Sequence, residues 1–254
     1  MRMSSWTPDI IRFMEDASSH TPYFDEIAAA VLRHAGSTAR VCDAGCGMGQ
    51  LAFALAPHAG RVDAVDRSPR AIAYVRAQAE ARGLRTVRPR RADVASLRPA
   101  EPYDLMVFSL SASLEDAWAA ARGRCRGTLV VINKMHGAPP DPDARRPRVH
   151  GLERSLRGLR ALGVPCAGEA LDLEFGQPFR SLEDAAAYCA LFRTRDFPAG
   201  PAPADLARLL DETGDERFPY YLPVRRRLAL VALDLGALDL GAERVGPSRA
   251  ALTA

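Results

Sequence analysis

Lysine is almost missing from this 254-residue chain: of its 34 Lys and Arg side chains, Lys134 is the one lysine. Such an arginine excess is a property of the whole composition, so a local run such as Arg88, Arg90 and Arg91 carries little evidence of a nucleic-acid groove. Net charge is also small, +3, which removes a strong electrostatic case for a polyanionic partner. Cysteine is sparse and odd in number: Cys42, Cys46, Cys125, Cys166 and Cys189 lie mostly in apolar stretches, which suits reduced core residues and not a disulfide framework. Cys42 and Cys46 stand four apart, but no second Cys/His pair accompanies them, which argues against a zinc centre. No hydrophobic run approaches the roughly 20 residues needed to span a bilayer. The opening residues lack a charged-then-apolar leader pattern, so the expected address is the cytoplasm.

What is present is ordinary globular material, 48% hydrophobic and 26% charged, in a length that favours one large domain with a sizeable core. Residues 1–38 read as helical cover, with Ile10, Ile11, Phe13 and Met14 preceding a helical run from Tyr23 to Leu32. From Ala39 short apolar runs alternate with helical segments, the pattern of βαβ units and a parallel sheet. Seven strands are expected: Arg40–Asp43, Arg61–Asp66, Leu84–Arg90, Tyr103–Leu110, Gly127–Lys134, Glu169–Phe175 and Arg226–Leu235. Helices are expected at Gln50–His58, from Ser68-Pro69 to Gly83, at Leu114–Ala121, Leu152–Leu162, Leu182–Arg193 and Ala204–Glu212. The α/β frame thus spans residues 39–236, with a proline-rich loop and helix over 136–165, and residues 237–254 read as a disordered tail.

The most specific feature is Asp43-Ala44-Gly45-Cys46-Gly47-Met48-Gly49, between the first strand and its helix. Glycines at alternate positions let the backbone turn tightly and approach a ligand with no Cβ in the way. The spacing is Gly-x-Gly-x-Gly, without the Gly-Lys-Ser/Thr of a phosphate loop. Asp43 would repel a pyrophosphate and suit a cationic ligand. Asp66 ends the second strand, where a carboxylate can accept ribose hydroxyls, and Ala92-Asp93-Val94 follows the third, beside an adenine edge. The ligand expected from these residues is a nucleoside with a cationic tail.

With those motifs, residues 39–110 resemble a class I S-adenosylmethionine-dependent methyltransferase. The resemblance implies a three-layer αβα, Rossmann-like α/β fold with a seven-stranded sheet of order 3-2-1-4-5-7-6, strand seven antiparallel. It implies S-adenosylmethionine as cofactor, with Gly45, Gly47 and Gly49 along the methionine portion, Asp43 near the amino group and Asp66 on the ribose. Asp93 and Val94 would then lie on the adenine side. Cys46, Ser109, Arg67 and Tyr23 join the expected cofactor set, Tyr23 because several such enzymes bring a helix across the cofactor.

Sulfonium displacement needs alignment and water exclusion more than acid–base work. The acceptor should lie at the carboxyl ends of strands four and five. The fourth strand ends Phe108-Ser109-Leu110-Ser111, not in the Asn/Asp-Pro-Pro-Tyr/Phe segment of amino-methylating nucleic-acid enzymes. His136, after the fifth strand, is the candidate general base. Glu174, Gln177, Phe179 and Tyr220-Tyr221 are candidate walls of the acceptor site. A small-molecule acceptor is expected ahead of RNA. The competing classes are a nicotinamide-dependent oxidoreductase and a non-catalytic cofactor-binding protein.

Overall fold

Capping residues set the register of several elements. Thr7 accepts from the Ile10 amide before Pro8, Ser68 from the Ala71 amide before Pro69, and Ser113 from the Asp116 amide at an acidic first turn. The structure, a computed structural model, describes residues 6–135, 150–192, 203–206 and 208–237. In chain order these form α1 (Pro8–His20), α2 (Tyr23–His34), β1 (Arg40–Ala44), α3 (Gln50–Leu55), β2 (Arg61–Asp66), α4 (Pro69–Ala81), β3 (Val87–Arg91), β4 (Tyr103–Ser109), α5 (Leu114–Ala121) and β5 (Cys125–Lys134). There follow α6 (His150–Ala161), β6 (Cys166–Glu174), β7 (Gln177–Phe179), α7 (Leu182–Phe192), α8 (Pro203–Leu206), β8 (Asp211–Glu212), β9 (Tyr220–Leu222) and β10 (Arg225–Asp234). The chain divides into two compact units.

The larger unit takes Phe24–Asp172 and the chain from Arg227 onward. Its sheet runs β3-β2-β1-β4-β5-β10-β6. β1 pairs in parallel with β2 and β4, and β10 runs antiparallel to β5 from Leu228↔Lys134 to Asp234↔Thr128. This is the expected Rossmann-like order with its antiparallel seventh strand. The central strands are buried almost end to end, Val41 to Ala44 and Tyr103 to Phe108, as a parallel sheet covered on both faces requires. Two buried carboxylates tie strands together. Asp63 on β2 accepts from Arg61 (2.6 Å), Arg90 on β3 (3.0 Å) and Tyr103 on β4 (2.8 Å). Burial pushes its carboxyl up, but these three donors outweigh that and hold it below the usual carboxylate range. Asp104 on β4 accepts from the Arg40 amide that opens β1 (2.9 Å) and from Arg126 on β5 (2.8 Å).

The smaller unit joins Met1–Tyr23 to Leu173–Arg226. It carries a three-stranded antiparallel sheet, β7-β9-β8, and an aromatic core. Phe13 of α1 meets Tyr188 of α7 edge to face at 5.1 Å between centroids, and Phe179 meets Tyr188 at 5.4 Å. The buried Asp16 is gripped by both guanidinium nitrogens of Arg180, at 2.6 and 2.7 Å, and Arg12 reaches Asp184 at 2.7 Å.

Several expected boundaries move. The helix from Gln50 stops at Leu55 and tightens to a 3-10 turn over Ala56–His58, because Pro57 has no amide to continue the α-helical ladder. The helix expected over Ala204–Glu212 is a single turn, and Asp211–Glu212 instead pairs with Tyr221 and Tyr220: long-range pairing overrides local helix propensity. The small sheet itself was not foreseen. Pro178 at the centre of β7 reads as a strand breaker, yet β7 is an edge strand, where a missing amide is tolerated. Gln177 and Phe179, expected as acceptor walls, are buried in that unit, as is Tyr221. The 237–254 tail lies outside the described residues apart from its first position.

Candidate functional site

β1 delivers Asp43 and Ala44 to the carboxyl edge of the sheet, and the chain must then reverse into α3. It does so through three glycines in the left-handed region, Gly45 (φ 76°), Gly47 (φ 52°) and Gly49 (φ 73°). Space is as restrictive as torsion. A Cβ on Gly45 would stand 2.5 Å from that of Ser111, and one on Gly49 would stand 2.9 Å from a methyl of Val75. The Gly45 and Cys46 amides donate to the Val65 carbonyl at 2.8 and 3.0 Å. The Gly47 amide donates to the Asp66 carboxylate at 3.0 Å. The other Asp66 oxygen accepts from the Ser68 amide at 2.7 Å. Asp66 therefore locks the glycine loop to the β2 end and the α4 start, and each oxygen keeps a second lone pair for a hydroxyl donor.

Asp43 is the unusual group. It is 2% exposed, and one carboxylate oxygen, Oδ2, is buried with no hydrogen-bond partner. Burial raises its pKa to about 7, with the Ala52 amide opposing and the Asp66 charge adding to the rise. A buried oxygen without a donor is costly in a fold that has no use for it. A cationic ligand entering beside the loop would supply that donor.

Asp93 is exposed and caps a 3-10 turn, accepting from the Ala95 amide at 2.9 Å, with the half-buried Val94 next in the chain. The Arg67 guanidinium stands 3.8 Å from Asp93, so two residues expected near the adenine do meet. The Ala92 amide donates to the Asp66 carbonyl at 3.1 Å, joining the second and third strand ends. Cys46 is half-buried in the loop, its thiol donating weakly to the Gly47 carbonyl at 3.6 Å, and burial pushes that thiol well up.

At the end of β4 the structure singles out neighbours of Ser109. The Ser111 hydroxyl donates to the Ala44 carbonyl at 2.7 Å and packs on Gly45, fixing the floor of the loop. Leu110, between them, has φ 57°, the one non-glycine left-handed residue among those described, and is 46% exposed. An exposed leucine in a strained conformation has no hydrophobic reward of its own, which marks the position as one held for a purpose. Nothing in the sequence signals the torsion, since it arises where the Leu110 amide must reach the Ile132 carbonyl on β5.

His136 lies outside the described residues. Tyr23 belongs to the smaller unit, where its ring stacks on Phe175 at 4.3 Å. A separate cleft of about 520 Å³ lies at the opposite, amino ends of β4 and β5, beside Asp104, Arg126 and Thr128. There Asp104 and Arg126 already satisfy one another, so it lacks the orphaned group that distinguishes the loop site. Among the described residues no three His, Cys, Asp or Glu side chains are arranged to hold a metal ion, and no helix is long and apolar enough to cross a membrane.

Residues 41–129 match a family model described as a methyltransferase domain. A putative type II methyltransferase from Anaeromyxobacter dehalogenans is similar at 23% identity, over 85% of this chain and 97% of that one, with a TM-score of 0.50. A putative methyltransferase from Bacillus halodurans is similar at 16% identity, over 83% and 99% of the two chains, with a TM-score of 0.48. Magnesium protoporphyrin IX methyltransferase from Synechocystis, solved with bound SAM, is similar at 15% identity over 91% and 86%, with a TM-score of 0.46. These likenesses concern the fold. A comparison with curated proteins finds no match.

Proposed function

From the match of residues 41–129 to a methyltransferase-domain model, we propose that the protein is an S-adenosylmethionine-dependent methyltransferase acting on a small-molecule acceptor. The observation that carries the reading is the orphaned, buried Oδ2 of Asp43 beside a glycine loop whose backbone admits close approach. When bound, S-adenosylmethionine supplies a methyl group on a sulfonium, whose transfer needs no protonation of the leaving group.

The chain's own residues have four tasks. Asp43 holds the cofactor's ammonium group, which completes its unpartnered oxygen. Gly45, Gly47 and Gly49 leave room for the methionine portion, with Cys46 and Ser109 at its margins. Asp66 accepts ribose hydroxyls on its remaining lone pairs while holding the loop shut. Asp93, Val94 and Arg67 border the adenine, Val94 through its backbone. Tyr23 is the remaining cofactor contact in this reading, and His136 takes the acceptor's proton where the acceptor needs deprotonation. The small net charge and the Phe108-Ser109-Leu110-Ser111 strand end favour a small molecule over RNA. Asp43 disfavours a nicotinamide cofactor, whose pyrophosphate would meet a buried carboxylate.

Calorimetry with S-adenosylhomocysteine tests the cofactor assignment, with micromolar binding expected and marked weakening in Asp66→Ala. No heat of binding at millimolar ligand would remove the assignment. Incubation with methyl-labelled cofactor and a pool of cell metabolites, read by mass spectrometry, then identifies the acceptor.

A further inference from the structure

The cleft of about 520 Å³ at the amino ends of β4 and β5 lies wholly within the larger unit, on the sheet edge opposite the glycine loop. Its size falls in the range of roughly 300–1,000 Å³ found for small-molecule sites. A bulge in β5 shapes its wall. Tyr103 pairs with Cys125 and Leu105 with Thr128, so two steps along β4 are matched by three along β5, and the extra residue falls at Arg126-Gly127. Glycine is required at 127, because a Cβ there would overlap the Asp104 carbonyl oxygen. The bulge aims Arg126 at Asp104, whose Oδ1 accepts from both Nε (2.9 Å) and Nη2 (2.8 Å). Among the described residues Nη1 has no acceptor, so a guanidinium clamped on one edge offers its other edge to the cleft.

Asp234, the last residue of β10, supplies the opposite charge. It stands across from Thr128 in the antiparallel register, one diagonal step from Arg126, a separation of about 7–8 Å in a regular ladder. Its Oδ1 accepts from the Gly236 and Ala237 amides at 3.0 and 3.2 Å, and Oδ2 has no donor among the described residues. His34, also at the cleft, is already engaged by Glu169 at 3.1 Å. Pro165, Ala167 and Ala232 add a lining of small carbon surfaces. A lone anion on Arg126 would meet the Asp234 charge, and a lone cation on Asp234 would meet Arg126, whereas a compact zwitterion satisfies both. Because Asp104 holds the guanidinium in place beforehand, little ordering is left for the ligand to offset. We propose that this cleft is a second ligand site, and that it takes an α-amino acid with an apolar side chain. The carboxylate meets Nη1 of Arg126, the ammonium meets Oδ2 of Asp234, and the side chain lies along Pro165, Ala167 and Ala232. The site does not depend on the methyltransferase reading. A ligand held at this edge of the sheet is neither the cofactor nor the methyl acceptor, both of which belong to the carboxyl edge.

The probe is L-leucine, titrated by ligand-observed NMR into the full chain saturated with S-adenosylhomocysteine. Leucine is expected to bind in the millimolar range or tighter. N-acetylleucine, without the ammonium, and leucinamide, without the carboxylate, should each bind at least tenfold more weakly. Asp234→Asn keeps an oxygen for the turn amides and should weaken leucine about tenfold. Arg126→Lys keeps a cation beside Asp104, loses Nη1 and should do the same. Ala167→Phe, at an exposed position, fills the cleft and should abolish leucine binding. S-adenosylhomocysteine affinity should be unchanged in all three variants, which certifies their folding. Absence of leucine binding to the wild type, equal affinity for N-acetylleucine or leucinamide, or undiminished leucine binding in any of the variants each overturns the proposal. Failure of S-adenosylhomocysteine to bind overturns the cofactor reading instead; the leucine titrations, with folding then checked by circular dichroism, still decide the cleft.

Discussion

The two units solve the problem of a dry interior with different materials. Among the described residues the smaller unit, less than a third of the chain, holds ten of the sixteen Phe, Tyr and Trp residues: Trp6, Phe13, Tyr23, Phe175, Phe179, Tyr188, Phe192, Phe218, Tyr220 and Tyr221. The larger unit buries its sheet with Ala, Val, Leu, Ile and Cys, such as Val41, Cys42, Ala44, Leu105 and Val130. Strands of three residues or fewer cannot assemble many aliphatic contacts, so a few large rings supply the buried area there. A parallel sheet with a glycine loop at its edge needs small residues, because backbone must approach backbone and ligand closely. Among the described residues the larger unit holds three buried polar atoms without a hydrogen-bond partner, Oδ2 of Asp43, Nε of Arg40 and Nε1 of Trp118, and the smaller unit holds Nε of Arg226.

The contrast can be broken most severely in the aromatic unit. Phe13→Ala removes a side chain in ring contact with Phe179, Tyr188 and Phe192 and should cost about 3–5 kcal/mol, measured by urea unfolding. The matching change in the larger unit is Gly45→Ala. Left-handed torsion and the clash with Ser111 should together cost about 2–4 kcal/mol. Adding Ser111→Gly relieves the clash but not the torsion, and also removes the Ser111–Ala44 hydrogen bond, so full recovery in the double variant would show that torsion does not matter.

Asp43→Asn sharpens the electrostatic side of the comparison. Calorimetry should show S-adenosylhomocysteine binding weakened by roughly ten- to a hundredfold, as expected for loss of a charge-assisted bond. The raised pKa of about 7 fixes the sign of the pH effects. The free folded protein holds the Asp43 proton more tightly than the unfolded chain, so this group's contribution to stability is complete below about pH 4 and is lost as pH rises towards 7. Binding of a cationic ligand runs the other way, strengthening from pH 6 to 8 with release of a proton. Both dependences should flatten in Asp43→Asn, and a wild-type affinity that is level from pH 6 to 8 would contradict the ammonium contact. The smallest expected effect is at Leu110. Leu110→Gly relieves the left-handed strain and should raise stability by up to about 1 kcal/mol without altering S-adenosylhomocysteine affinity.

Much of the larger unit was legible because its signals are local. The helix start at Ser68-Pro69, the alternation of apolar runs with helices, and the Gly45-Cys46-Gly47-Met48-Gly49 turn all lie within a few residues of what they determine. The smaller unit was not legible. Its sheet pairs Gln177–Phe179 with Tyr220–Leu222 across more than forty residues, and its central proline argues locally against a strand. Likewise Ser109 and Ser111 were equivalent as sequence, and only the position of Gly45 makes Ser111 the loop's neighbour.

The amino-acid sequence by itself determined the parallel Rossmann-like frame, the position of the glycine loop and the acidic residues Asp43, Asp66 and Asp93 around it, because torsional needs, caps and strand periods are written residue by residue. Its near-lack of lysine spoke to composition and not to a binding surface. Tertiary structure alone decided that Met1–Tyr23 joins Leu173–Arg226, that one oxygen of Asp43 is sealed without a donor, and that Arg226 points its Nε at no acceptor. Burial and partnership are sums over distant segments, and no local pattern carries them.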